Sequence, residues 1–199
     1  MFSDPQTLAP DMYLLQGYVN TAELLPHVLA ITAQVPFRHM TIPGGGVTKA
    51  ALSNAGALGW NSTRFEYRYS AVDPDTGRSW PAIPAMFSAL ATRAAATCGF
   101  ADFVPDACLL NRYVAGAGMG LHQDKNERDF TQPIVSVSIG ASCRFIIGGL
   151  ARNSPTRSIV LQDGDVMVWG GASRLVYHGV RPLGLDSDVR YNLTLRRAA

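Results

Sequence analysis

The chain has 199 residues, 47% of them apolar and 16% charged, with a net charge of +2. That is enough chain and enough apolar side chain for one globular domain with a full core, and we read residues 1–199 as a single domain. So small a positive balance permits a nucleic-acid partner without arguing for one. No run reaches the roughly 18 apolar residues a membrane span needs, and the opening MFSDPQTLAP has no basic or apolar stretch, so a cytoplasmic protein is expected. Three scattered cysteines, Cys98, Cys108 and Cys143, form no C-x-x-C pair. They predict reduced, buried thiols instead of a disulfide framework or a zinc site.

In chain order, Thr21 to Val35 (TAELLPHVLAITAQV) predicts a helix capped by Asn20 or Thr21, with Pro26 limiting its start. Gly44-Gly45-Gly46 reads as a turn without the context of a phosphate-binding loop. In Arg64 to Tyr69 the side chains alternate, with Phe65, Tyr67 and Tyr69 on one face and Arg64, Glu66 and Arg68 on the other. This is half of a solvated hairpin packed on the core, or a surface on which aromatics stack a base while arginines hold phosphates. Pro84 to Cys98 (PAMFSALATRAAATC) predicts a second helix, opened by Pro84 and closed by Gly99, with Phe87, Leu90, Ala91, Ala94 and Cys98 as its buried stripe and Met86 also in the core. From about residue 107 the pattern turns to short strands: ACLLNRY, IVSVSIG, CRFIIGG, SIVLQ, DVMVWG, RLVYHG and RYNLTLR. Seven strands with helices only upstream predict an α+β fold, a double-sheet jelly roll (double-stranded β-helix) backed by N-terminal helices.

Three residues carry the most chemistry. His122 and Asp124 in LHQD stand two apart, so in an extended segment both project the same way, and His178 follows far downstream in YHG. Two imidazoles and one carboxylate can occupy one face of an octahedral iron and leave the remaining positions open. The spacing is equally that of a solvated loop pair and a hydrogen-bonded core histidine. In RYNLTLR, Arg190, Asn192, Thr194 and Arg196 share one face and Tyr191, Leu193 and Leu195 the other. Arginines turned into a barrel need carboxylate partners, and a dicarboxylic acid bound to iron, such as 2-oxoglutarate, would supply one to each in forked hydrogen bonds. The same period puts Leu109, Asn111 and Tyr113 on one face, and sets Ile134, Ser136 and Ser138 opposite Val135, Val137 and Ile139.

With PFRHMTIPGG, LGWNSTRFEYRYS, DPDTGRSWPAIP, FVPDACLLNRY, LHQDKNE, PIVSVSIG, GDVMVWGGASRLVYHG and RYNLTLR, the chain resembles the AlkB family of Fe(II)- and 2-oxoglutarate-dependent nucleic-acid dealkylases from about Pro36 to Arg196. The resemblance implies a jelly-roll catalytic core over 107–197 and a nucleotide-recognition lid with a β-hairpin over 36–80. It implies that His122, Asp124 and His178 bind iron, and that Leu109, Asn111, Tyr113, Ser136, Arg190, Asn192 and Arg196 line the 2-oxoglutarate pocket, Arg190 on the remote carboxylate and Arg196 near the chelating end. Trp60 is implied as a stacking wall opposite His122, Tyr67 as a neighbour of the nucleotide backbone and Arg152 as a phosphate contact. The implied reaction couples decarboxylation of 2-oxoglutarate by O2 to hydroxylation of an N-alkyl group, with loss of an aldehyde. Alkylated DNA, single-stranded in preference, and RNA are the implied partners of a monomer. This sequence departs from the family prototype at Asn126, where an acidic residue is expected beside the base, and at Ile42, Leu52 and Gly118, which replace a hydroxyl residue, a methionine and a lysine. A related dioxygenase acting on protein or lipid, and a non-enzymatic nucleic-acid-binding barrel, are the alternatives.

Overall fold

Two antiparallel sheets share an apolar interior, and the larger is apolar on both faces. The computed structural model describes residues 4–199. The larger sheet runs β1 (Gln6–Ala9), β2 (Met12–Leu15), β11 (Val166–Trp169), β8 (Ile134–Gly140), β13 (Arg190–Arg196), β6 (Ala107–Tyr113) and β3 (Ala51–Gly56). The smaller runs β10 (Arg157–Leu161), β9 (Cys143–Ile147), β12 (His178–Val180) and β7 (Met119–His122), and β4 (Gly59–Ser62) pairs with β5 (Tyr67–Ser70) as a separate hairpin. This is the α+β jelly roll that the strand pattern predicts.

Period-two alternation explains the layering. Val135, Val137 and Ile139 of β8, Leu193 and Leu195 of β13, and Val166 and Val168 of β11 pack on Leu24, Val28 and Ile31 of α1 (Thr21–Gln34) and on Phe87, Leu90, Ala91 and Ala94 of α2 (Ala85–Thr97). Ile134, Met167 and Trp169 face the other way and join Cys143, Phe145 and Ile147 of the smaller sheet. Each Val, Leu, Ile, Phe or Met side chain among these contributes about 1.5–3 kcal/mol on full burial. Polar residues break this inner face at Asn111, Ser136, Ser138, Asn192, Thr194 and Arg196, all buried. Apolar side chains would serve the fold there equally well, so their polarity marks a site.

Several expectations need correction. Pro26 does not limit the start of α1: the helix begins at Thr21, with Asn20 Oδ1 accepting from the Ala22 N–H at 3.2 Å, and Pro26 lies inside it. Pro84 caps α2 instead of occupying its first turn, and Met86 is exposed while Phe87 is buried. RLVYHG is a strand only from His178, because Gly171–Ser173 forms a short 3-10 turn and Arg174 continues it in helical conformation. The buried Arg174 guanidinium pins that turn by donating to the Gln132 and Asp124 carbonyls. The short strands β1 to β3 and β7 lie outside the predicted set, since segments of four to six residues show too few alternations to stand out, whereas the hairpin expected around Arg64–Tyr69 is present as β4 and β5. Burial raises the Cys98 thiol to about 11 and the Cys108 thiol to about 12, and all three cysteines are free, as predicted. No described helix is long and apolar enough to cross a membrane.

Candidate active site

The pairing of β12 with β7 places His178 directly opposite His122, and the chain leaving β7 brings Asp124 alongside both. Asp124 Oδ1 lies 3.8 Å from His122 Nε2 and Asp124 Oδ2 lies 3.6 Å from His178 Nε2. One ligand atom from each of the three falls within 4.8 Å of the others. Close approach of the two strands depends on Gly179, where a Cβ would sit 2.7 Å from the Met119 carbonyl oxygen.

Both imidazoles are oriented by the backbone. His122 Nδ1 lies 2.9 Å from the Gly120 carbonyl and His178 Nδ1 lies 3.0 Å from that of Val176. A carbonyl only accepts, so Nδ1 carries the hydrogen in each ring and Nε2 is left with its lone pair towards the Asp124 carboxylate. Burial, then the neighbouring His122, pushes His178 down to about 4, so it is neutral at pH 7 with no proton to displace. Burial works to raise the Asp124 carboxyl, but Arg196 foremost and the two histidines outweigh it and hold Asp124 well below the usual carboxylate range. A buried, ionised carboxylate between two imidazoles that turn Nε2 towards it is a donor set for a divalent transition metal.

The three residues form part of the wall of a cavity of about 830 Å³. Leu109, Asn111 and Tyr113 of β6, Ser136 of β8, and Asn192, Thr194 and Arg196 of β13 line it, as do Trp60, Tyr67, Asn126 and Arg152. Of the predicted site residues, Arg190 alone is not part of the lining. It is 1% exposed, one register step beyond Asn192 and opposite Tyr113, and its Nη2 donates to Ser138 Oγ at 3.0 Å. Among the described residues its Nε and Nη1 have no hydrogen-bond partner, nor do the buried Asn111 Oδ1 and Trp169 Nε1.

Of the two arginines predicted to await ligand carboxylates, Arg196 alone meets carboxylates among the described residues. Arg196 finds its carboxylates within the protein, with Nη2 2.8 Å from Asp124 Oδ2 and Nε 3.4 Å from Glu127. A buried guanidinium with two unsatisfied nitrogens is costly unless an anion completes it, and Arg190 in that state offers donors of the kind a carboxylate accepts from. Period-two reading does not separate the two arginines, because Glu127 comes from a segment without an extended pattern. Glu127, 5% exposed, has no signal in sequence beyond its charge.

Trp60 and Tyr67 meet across the hairpin with ring centroids 5.3 Å apart at 21°. Tyr67 is 41% exposed and Phe65 75%, whereas Tyr69 is half-buried, so the predicted aromatic face is graded from solvent inwards. Asn126 Nδ2 donates to the Tyr67 carbonyl at 3.4 Å, and the Arg152 guanidinium lies 5.8 Å from the Tyr177 ring centroid. Ile42, Leu52 and Gly118, the other departures from the family prototype, line the same cavity. At Gly118 a Cβ would fall 2.8 Å from both Pro182 N and the Val180 carbonyl oxygen. Backbone cannot yield as a flexible side chain does, so Gly118→Ala is expected to lower stability by roughly 1–3 kcal/mol, read by thermal denaturation.

The jelly roll and this donor set define an iron-dependent oxygenase. The family described as the 2OG-Fe(II) oxygenase superfamily matches residues 11–196. The chain is 48% identical over 200 residues to "Alpha-ketoglutarate-dependent dioxygenase AlkB" of Escherichia coli (strain K12), covering 97% of this chain and 93% of that protein. It is 33% identical over 123 residues to the human "Nucleic acid dioxygenase ALKBH1", covering 62% of this chain and 31% of that one. The solved structure titled "The structure of OsALKBH1" superposes with a TM-score of 0.79 at 26% identity, covering 97% of this chain and 99% of the other. The chain belongs to the AlkB family of 2OG-Fe(II) oxygenases. Its cofactor is iron(II) and its cosubstrates are 2-oxoglutarate and O2.

Proposed function

We propose that this enzyme repairs nucleic acids by oxidative dealkylation of N-alkylated bases such as 1-methyladenine and 3-methylcytosine. The observation that carries the reading is one cavity with His122, Asp124 and His178 in its wall and the Trp60–Tyr67 pair at its hairpin side. Residues 1–199 act as one domain, with 36–80 as the nucleotide-recognition lid and 107–197 as the catalytic core.

His122, Asp124 and His178 hold the metal through Nε2, a carboxylate oxygen and Nε2. Arg190 takes the remote carboxylate of 2-oxoglutarate, Arg196 and Asn192 stand near its chelating end, and Leu109, Asn111, Tyr113 and Ser136 shape the space between. Burial raises the Tyr113 phenol above its ordinary value, so it stays protonated and donates to that anion. Iron(II) with 2-oxoglutarate supplies, when bound, an oxidant made from O2: one oxygen atom ends in succinate and the other on the alkyl carbon. The hydroxylated carbon then leaves as an aldehyde and the base is restored.

Trp60 and His122 grip the flipped base. A methylated adenine or cytosine is cationic, which adds a cation–π contribution of about 1 kcal/mol, and its blocked pairing edge makes extrusion less costly. Tyr67 and Arg152 contact the backbone. Asn126, a neutral amide in place of an acid, both donates and accepts, and widens the choice between adenine and cytosine edges. Single-stranded DNA is the main substrate and RNA a second one, acted on by a monomer in the cytoplasm.

Trp60→Ala is expected to weaken repair of methylated oligonucleotides much more than turnover of 2-oxoglutarate without nucleic acid, and equal losses in both assays would remove the stacking role. The substrate assignment is tested by incubating the protein with iron(II), 2-oxoglutarate and oligonucleotides carrying single lesions, with repair read as a mass loss. Failure on every lesion by protein that still makes succinate would redirect the reading to a protein or lipid substrate.

A further inference from the structure

A chain of hydrogen bonds joins the β4–β5 hairpin to the carboxylate of the triad. Tyr69, on β5, donates its phenol hydrogen to Glu127 Oε1 at 2.6 Å and accepts from Arg196 Nη1 at 3.1 Å. The other end of the same guanidinium, Nη2, donates to Asp124 Oδ2 at 2.8 Å. Glu127 accepts at its second oxygen from Arg174 Nη2 at 3.1 Å, and Arg174 Nη1 donates to the Asp124 carbonyl at 2.7 Å. Glu127, Arg174, Arg196 and Asp124 are all buried members of the barrel. Tyr69 is the member carried by the hairpin.

The two arginines divide the work on Asp124. Arg174 fixes its main chain and Arg196 fixes its side chain by occupying Oδ2, which sets how the carboxylate plane faces the two Nε2 atoms. Tyr69 accepts from Arg196 Nη1 and occupies Glu127 Oε1, the oxygen 3.4 Å from Arg196 Nε. Lifting the hairpin takes away the phenol, leaves Nη1 without its acceptor in a buried setting, and releases Glu127 Oε1 to draw the guanidinium away from Asp124.

We propose that Tyr69 is a positioning residue that transmits the seating of the hairpin to the metal-binding carboxylate. With the hairpin down, Arg196 is locked on Oδ2 and Asp124 presents a fixed oxygen to the metal; with it lifted, the carboxylate rotates and the metal is held less well. The proposal rests on the assignment of His122, Asp124 and His178 as the metal site. Its consequence is that the oxidising centre is fully assembled only when the base pocket is covered. Linkage also requires the reverse effect, since metal binding must favour the seated hairpin by the same factor.

The experiment uses the full chain and Co(II) alone, without nucleic acid or 2-oxoglutarate, and reads the dissociation constant from the Co(II) absorption bands. Tyr69→Phe is expected to bind Co(II) about tenfold more weakly, as loss of a partner around a metal ligand does elsewhere. Phe65→Ser, on the same hairpin but outside the chain of bonds, should bind like the unmodified protein. In the unmodified protein, amide hydrogen exchange over 67–70 should slow when Co(II) saturates the site, a result that does not depend on any variant folding. Folded Tyr69→Phe with unchanged Co(II) affinity and spectrum, or hairpin exchange indifferent to Co(II), would overturn the proposal. His122→Ala is run beside them: Co(II) binding that survives in it sinks the metal-site assignment instead, so the two failures are distinguishable.

Discussion

His122→Ala is expected to abolish 2-oxoglutarate turnover while leaving the fold and melting temperature close to those of the unmodified protein. The side chain is 35% exposed on the cavity wall and its one protein hydrogen bond, to the Gly120 carbonyl, can pass to water. The loss therefore falls on the metal site, where two remaining ligands cannot hold the metal in an oxygen-activating geometry. Asp124→Ala abolishes turnover equally but costs stability too, because Arg196 loses its shortest carboxylate contact in a buried setting. Succinate release and thermal denaturation measure the two effects. Undiminished succinate from either variant would sink the iron assignment.

The second large effect is at Arg190. Arg190→Met is expected to raise the 2-oxoglutarate concentration for half-maximal turnover by about 100-fold, roughly 3 kcal/mol of binding, the usual loss when a buried charge partner is removed. The ligand-free protein should melt no lower than the unmodified one, because the guanidinium has only Ser138 as a partner and leaves Nε and Nη1 unsatisfied. Methionine fills a similar volume without those orphaned donors. Weaker cosubstrate binding without loss of fold is the signature of a residue kept for a ligand. An unchanged half-maximal concentration would take Arg190 out of the cosubstrate site.

Arg190 and Arg196 also show how far the amino-acid pattern reaches. Their shared face follows from period two, and the strand that carries them has the bounds the pattern predicts, Arg190–Arg196. Their partners do not follow from any local rule. Glu127 and Asp124 lie far away in the chain, so which guanidinium meets protein carboxylates and which does not is decided by the packing of the 122–127 segment against β13. Tyr69 is a similar case. Alternation groups it with Phe65 and Tyr67, but only the docking of the hairpin separates an exposed ring from one whose phenol reaches Glu127.

Composition and alternation determined an α+β jelly roll, its two helices and the inward face of β6, β8 and β13, because those properties depend on neighbours two to four residues apart. Residue type and spacing nominated the His122, Asp124 and His178 set, and the family resemblance added to it. Tertiary structure decided the rest: the register that puts His178 opposite His122, the Gly179 approach that lets the two strands meet, and the pairing of Arg196 with carboxylates while Arg190 meets only the Ser138 hydroxyl among the described residues. These rest on contacts between residues tens of positions apart. Such contacts depend on angles, distances and burial that no residue's nearest neighbours in the chain encode.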